Sequence, residues 1–405
     1  MKWASSIWGP ESLGNSRKDL QLAIDECAKK LKEEIDDIDL VVGFVSPHFA
    51  DHFDDFPALV KEALGAKVFI GCTAGGLIGD GKEIEHTNCV ALTAASLPDV
   101  QVKPFHVTNE TMPDLDASPD AWEKIIGVSQ SENPAFVLMP DPFTMRSDDI
   151  IRGLDYAYPN AVKIGGLASG AHEPGGNALF LDQKTIRDGL VGIALTGNVI
   201  VDTVVAQGCK PIGKPCQVTR AQKHILFELD GEPAIMFLRD MMDSLSDVDR
   251  SLAKDAMFLG LVMQENKDKH QAGDFLVRNI LGIDQNSGAL VVGEILDNAR
   301  TVQFHVRDAA TSADDLRFLL KRFRDEKLDG DASGVKGALL FSCLGRGMHL
   351  YGMANHDSDS FRDYLGAVPV GGFFCNGEIG PVGNQTYLHG YTSSFGIFRQ
   401  KTMLN

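Results

Sequence analysis

The sequence is short of basic charge: 38 Lys and Arg face 56 Asp and Glu, a formal net charge of -18 over 405 residues. Binding a polyanion requires a basic face, and no charge run supplies one, so nucleic acid is excluded as a partner. The acids gather instead in surface-like stretches at residues 33–37 (EEIDD) and 51–56 (DHFDDF). Paired cysteines are missing too. The seven cysteines (27, 72, 89, 209, 216, 343 and 375) form an odd set with no C-x-x-C, which argues against a disulfide framework and a zinc knuckle and for small, buried, reduced thiols. No apolar run approaches the roughly 18 residues of a membrane span, and the opening MKWASSIWGPES lacks the apolar core of a signal peptide. The chain therefore reads as cytoplasmic, without membrane insertion. Also absent are G-x-G-x-x-G, G-x-x-x-x-G-K-[ST], G-x-S-x-G, H-E-x-x-H and C-x-x-C-H, the fingerprints of nucleotide sites, two hydrolase classes and attached haem.

What the chain does have is repetition. LVVGFV (40–45), a helical stretch, KVFIGCTAGGLIGDG (67–81) and NCVALTAASL (88–97) form one pass. AFVLMP (135–140), a helical DDIIRGLDYAY, VKIGGLASG (162–170) and GLVGIALTG (189–197) form a second. GALLFSCLG (337–345), a helix near Phe361–Leu365, VPVGGFFCNGEIG (368–380) and YTSSFGIF (391–398) form a third. The interval from Gly43 to Gly71 is 28, from Val137 to Gly165 again 28, and from Leu340 to Gly371 it is 31. Each pass reads as strand, helix, strand, glycine loop, strand, with the strands flanking the helix parallel. The expected fold class is α/β: two domains with mixed β-sheets flanked by helices, built from that repeated unit. The Pro- and Gly-rich GCKPIGKPCQ (208–217) sets the division at 1–207 and 208–405. Ser16 with Asp19, and Ser312 with Asp315, predict capping boxes. DFLVRNILGID, GALVVGEIL and TVQFHVRDA predict an antiparallel meander.

Three glycine loops at equivalent places point to a shared ligand pocket, because bare backbone N–H groups let a ligand approach; tight packing is the plainer reading of any one of them. From the first two loops come Cys72, Thr73, Gly75, Gly166 and Ser169 as candidates. The third contributes Cys375, Asn376 and Glu378, with Cys343 and Arg346 from the preceding FSCLGRG and His389 beyond. Asp141 and Arg146 follow a strand end where α/β crevices form, although Asp141 between two prolines also suits a turn. Glu378 and Arg346 are the two poles of an amino-acid clamp if they share a pocket: a carboxylate for the ammonium and a guanidinium fork for the carboxylate. The alternative pairs Arg346 with Glu378 itself or with Asp357, and leaves Glu378 to its own loop's N–H groups. A cysteine nucleophile is the enzymatic reading, with no local histidine partner beyond His389. Metal ligation has no support.

GCTAGGLIGDG, GGLAS, GKPCQVTRAQKHILFELDGEPA, FSCLGRG, VPVGGFFCNGEIGPVG and LHGYTSSFGIF resemble the FIST family, named for F-box and intracellular signal transduction proteins, over nearly the whole chain. The resemblance implies an N-terminal and a C-terminal FIST domain and a sensory role for a small ligand, with amino acids proposed. It also implies two alternatives or partners: haem, since some members are haem-based nitric oxide sensors, with His48, His106 and His305 among the nominal ligands here; and a separate signalling protein such as a histidine kinase or a cyclic dinucleotide enzyme, because no such segment is present in this sequence. The oligomeric state is left open.

Overall fold

A computed structural model describes residues 1–263, 273–296 and 301–401. The chain forms two compact units: residues 1–205, 317–388 and 392–405 make the first, and 206–316 with 389–391 the second. The second segment of the expected 1–207 and 208–405 division is thus shared between units, because its C-terminal part carries the third repeat and pairs with the other two. No helix among the described residues is long and apolar enough to cross a membrane.

In the first unit the strands are, in chain order, β1 (Lys2–Trp8), β2 (Leu40–Val45), β3 (Val68–Thr73), β4 (Gly76–Gly79), β5 (Lys82–Glu85), β6 (Val90–Ser96), β7 (Val100–Val107), β8 (Ala135–Pro140), β9 (Lys163–Gly166), β10 (Leu179–Leu181), β11 (Lys184–Ile186), β12 (Leu190–Gly197) and β13 (Ile200–Ala206). The second unit contributes β14 (Lys210–Gln222), β15 (Ile225–Leu229), β16 (Glu232–Pro233), β17 (Met257–Val262), β18 (Phe275–Ile283), β19 (Leu290–Val292) and β20 (Thr301–Val306). The chain then returns with β21 (Val335–Cys343), β22 (Val370–Cys375), β23 (Glu378–Val382), β24 (Gln385–His389) and β25 (Ser393–Arg399).

The first unit holds three six-stranded sheets: β1-β6-β2-β3-β10-β11, β7-β12-β8-β9-β23-β24 and β13-β25-β21-β22-β4-β5. Each has the same plan. A parallel pair (β2/β3, β8/β9, β21/β22) is flanked on one side by an antiparallel strand and on the other by a hairpin from a different repeat. The exchange is cyclic: the hairpin after the first glycine loop (β4–β5) joins the third sheet, that after the second (β10–β11) joins the first, and that after the third (β23–β24) joins the second. In register Gly43 pairs with Gly71, Leu138 with Gly165 and Leu340 with Gly372, so each pass sets a glycine at the same place against its parallel neighbour.

The central strands are apolar on both faces, as strands covered on both sides must be. In β2, Val42 and Phe44 face a core shared by all three sheets with Val137, Met139, Leu339 and Phe373, while Val41 and Val45 face helices α1 (Arg17–Glu34) and α2 (Phe56–Leu64). Helix α1 starts where Ser16 and Asp19 form the expected capping box and buries Leu20, Ile24, Cys27 and Leu31 along one stripe. Helices α3 (Pro119–Ile126) and α4 (Ser147–Ala157) cover the second sheet.

The repeated glycines have a steric cause. A Cβ on Gly71, Gly165 or Gly372 would lie 1.9 Å from the carbonyl oxygen of Gly43, Leu138 or Leu340 on the parallel partner strand. These three therefore occupy one equivalent position, and the residue after each pairs with Leu179, Glu378 and Leu77 respectively in the incoming hairpin.

The second unit is a seven-stranded antiparallel sheet, β14-β20-β17-β18-β19-β15-β16, packed by helices α5 (Ala234–Ser244) and α6 (Asp247–Asp255). Within the expected meander β18 and β19 do pair, but β20 pairs with β14 and β17 instead. The strand missed was β17, which inserts between β18 and β20. Helix α7 (Ala309–Lys327) begins three residues before Ser312, so the second expected capping box is not one: Asp308 caps Thr311, while Ser312 donates to the Gly208 carbonyl and Asp315 accepts from Gly208 N–H. The third repeat's helices are α8 (Gly347–Tyr351) and α9 (His356–Leu365).

Candidate functional site

The three glycine loops meet. Ser169 N–H donates to the Thr73 carbonyl (3.1 Å) and Asn376 N–H to the Leu167 carbonyl (3.2 Å). Gly75 N–H donates to Ser169 Oγ (2.9 Å), whose hydroxyl donates in turn to the Phe374 carbonyl (2.5 Å). Gly75, Ser169 and Asn376 stand at the same place in the three repeats, four residues past the sterically required glycine, and the links tie the second loop to both the first and the third at the C-terminal ends of the parallel strands. Asn376 is exposed there, Gly75 and Cys343 are half-buried, and Leu344 is 39% exposed beside Gly75. Pro47 flanks Gly170 in the same way, giving the junction a mixed polar and apolar rim.

The other candidates lie deeper or elsewhere. Thr73 accepts from Ala178 N–H and donates to Asn177, whose amide nitrogen donates to Asp141 at 2.9 Å. Asp141 is 2% exposed and accepts from Phe143 N–H, Thr144 N–H and the Thr144 hydroxyl, the turn its prolines suggested. Burial pushes the thiols of Cys72 and Cys375 well up, with Asp141 adding to the effect at the first and Glu378 at the second. Neither is an activated nucleophile. Gly166 is needed for Cys375: its Cβ would lie 2.2 Å from that sulfur. Arg146 stands apart, 61% exposed and paired with Asp149, in an open groove of about 500 Å³ with Met112, Leu115, Asp114 and Asp116. His389 is buried and groups with the second unit. His305 has Nδ1 on the Gln303 carbonyl and its ring packed on Phe275 and Gly260, and burial lowers its pKa to about 4. An axial haem ligand needs an open face, so His305 does not fit that role. Among the described residues no group of three His, Cys, Asp or Glu is placed to hold a metal ion.

Arg346 and Glu378 are both fully buried, but the guanidinium fork is filled. Arg346 Nε donates to Asp357 Oδ2 (2.8 Å) and Nη2 to Oδ1 (3.0 Å), with Nη2 also reaching the Tyr351 hydroxyl. Asp357 further accepts from Ser342 and Ser393, and His356 Nδ1 lies 3.2 Å away. Burial alone would raise the Asp357 carboxyl; the Arg346 charge and these hydrogen bonds hold it far below the usual range. The Nε and Nη2 edge of Arg346 is thus taken by Asp357, the pairing weighed beside the amino-acid clamp. Glu378 accepts from Thr392 N–H at 3.0 Å and sits where the other repeats have Leu77 and Leu179. Two carboxylates of the exchanged β4–β5 hairpin serve the same region: Glu85 accepts from Met348 N–H at the start of α8, and Glu83 from Ser358 N–H at the start of α9. Glu83, 6% exposed, is pushed up to about 8, first by burial and then by Asp357. Asn177, Ser342, Ser393 and Glu83 had no sequence signal, because each acts through a partner brought from another repeat or from beyond a loop.

Family models for the FIST N domain and the FIST C domain match residues 39–232 and 234–381. The chain belongs to the FIST family. FIST domains are sensory domains associated with signal transduction and small-ligand sensing. An uncharacterized protein of Mycobacterium tuberculosis is 34% identical over 382 residues, covering 94% of this chain and 97% of its own. An F-box/LRR-repeat protein of Arabidopsis thaliana is 22% identical over 305 residues, 65% of this chain and 57% of its own. A cyanuric acid hydrolase structure aligns over 99% of this chain and 100% of its own at 9% identity, with a TM-score of 0.32, a likeness too low to bear on fold or function.

Proposed function

We propose that this FIST protein is a cytoplasmic small-ligand sensor without turnover, that a polar metabolite such as an amino acid docks on the rim where the three glycine loops join, and that a separate signalling protein, such as a histidine kinase or a cyclic dinucleotide enzyme, reads the occupied state. The observation that carries the reading is the junction of the three loops at Ser169. Three loops from three repeats are tied by Ser169, Gly75 and Asn376, so a ligand touching the rim biases all three sheets at once. Asn376 offers both a donor and an acceptor to the ligand, and Leu344 an apolar contact.

Thermal unfolding against a panel of amino acids tests this, since a ligand at about 100 times its Kd adds roughly 2.7 kcal/mol. One or more amino acids are expected to raise the transition at millimolar concentration, and Asn376→Ala to remove the increase while leaving the unliganded transition in place. A flat panel sinks the ligand assignment.

A further inference from the structure

In the second unit a second guanidinium has its fork empty. Arg307 follows β20 directly, and its Nε and Nη2 are buried with no hydrogen-bond partner among the described residues. These two nitrogens form the edge with which a guanidinium grips a planar carboxylate in two parallel bonds, as Arg346 grips Asp357 in this same chain. Leaving both N–H groups buried and unmet is costly, and native structures rarely do so without a reason. The adjacent acid does not fill the fork: Asp308 spends both oxygens on the Thr311 N–H and hydroxyl.

A tyrosine ring lies over the guanidinium. The Arg307 guanidinium carbon lies 5.0 Å from the ring centroid of Tyr391. Tyr391 has φ +65°, a backbone conformation that a bulky residue adopts only when its surroundings impose it. Its hydroxyl donates to Asn279 Oδ1 and its ring packs on Phe258, at 4.5 Å between centroids, beside Cys209 and Val277. Tyr391 thus touches both the guanidinium and a small apolar cluster.

We infer that Arg307 receives the carboxylate of a small organic acid, with Tyr391 as the movable cover and Cys209, Phe258 and Val277 as the surface for the acid's apolar part. A singly charged carboxylate suits the place better than a phosphate dianion, because Asp308 lies next in sequence and the chain carries a net charge of -18. This site is separate from the glycine-loop rim and does not depend on it.

The test uses the whole chain labelled with 15N-arginine and titrated with sodium propionate against sodium chloride at equal ionic strength. Propionate is expected to displace, saturably, one arginine Nε–H resonance that is missing from the spectrum of Arg307→Lys. Arg307→Lys, which keeps the charge and loses the fork, is expected to weaken propionate binding about tenfold in thermal unfolding. Asn376→Ala is expected to leave the propionate response unchanged, which separates this site from the rim. The inference falls if no Nε–H resonance moves, if Arg307→Lys binds propionate as well as the parent, if propionamide acts like propionate, or if inorganic phosphate binds as tightly.

Discussion

Arg346 and Arg307 are the same chemistry in two settings. Both lie against a tyrosine ring, at 5.5 Å for Tyr351 and 5.0 Å for Tyr391. In the first unit the fork is met by Asp357, which is itself held by two serines, and the group is 0% exposed. In the second unit the same edge is buried and unmet. The difference teaches how to tell a structural arginine from a receptive one: burial does not separate them, and neither does a neighbouring ring. What separates them is whether the chain supplies the carboxylate.

That contrast breaks most visibly at Asp357. Asp357→Ala takes the carboxylate away from the buried, charged Arg346 and is expected to cost about 3–5 kcal/mol in denaturant unfolding; a cost below about 1 kcal/mol removes the pair from the fold's support. Arg346→Lys keeps the charge and loses one of two parallel bonds, for an expected loss of about 1–3 kcal/mol by the same measurement. Glu83→Gln probes the acid beside the filled fork. The folded pKa of Glu83, about 8, is above its ordinary 4.5, so its contribution to stability is complete below about pH 4.5 and is lost as the pH rises through about 8. The parent should therefore lose more stability between pH 5 and pH 8 than the variant, in which Asp357 and Glu85 no longer face an ionising neighbour; parallel pH profiles would contradict this. The smallest effect belongs to the empty fork. Arg307→Met breaks no ion pair among the described residues, and without added acid it should shift stability by no more than about 1 kcal/mol.

The repeat was legible because its cause is local: Gly71, Gly165 and Gly372 each sit where a Cβ would strike the neighbouring strand, so sequence spacing betrays structure. The exchange of hairpins was not legible. Nothing in GGLIGDG says that it pairs with Val370–Cys375 rather than with its own sheet, because either edge offers the same backbone groups. Strand β17 was hidden in a short apolar run, MFLGLV, without turn signals on both sides. At the site, Glu378 stood out as the acid its sister loops lack, and the structure gives that a position: the place of Leu77 and Leu179. The Arg346–Asp357 pair was among the readings weighed, since a helical turn and a short loop separate the two. Arg307 carried no signal, because an unmet hydrogen bond is an absence that only coordinates reveal.

The cyclic exchange of hairpins also orders events during synthesis. Residues 76–85 emerge early, yet the strand they pair with, Val370–Cys375, is made almost 300 residues later, after residues 206–316 of the second unit. Until then the Gly76–Glu85 hairpin has an unpaired edge, and Glu83 and Glu85 have no helix starts to cap. A ribosome that stalls before Val370 therefore leaves the first and third sheets unjoined, and a nascent chain at that stage is the form most in need of a chaperone.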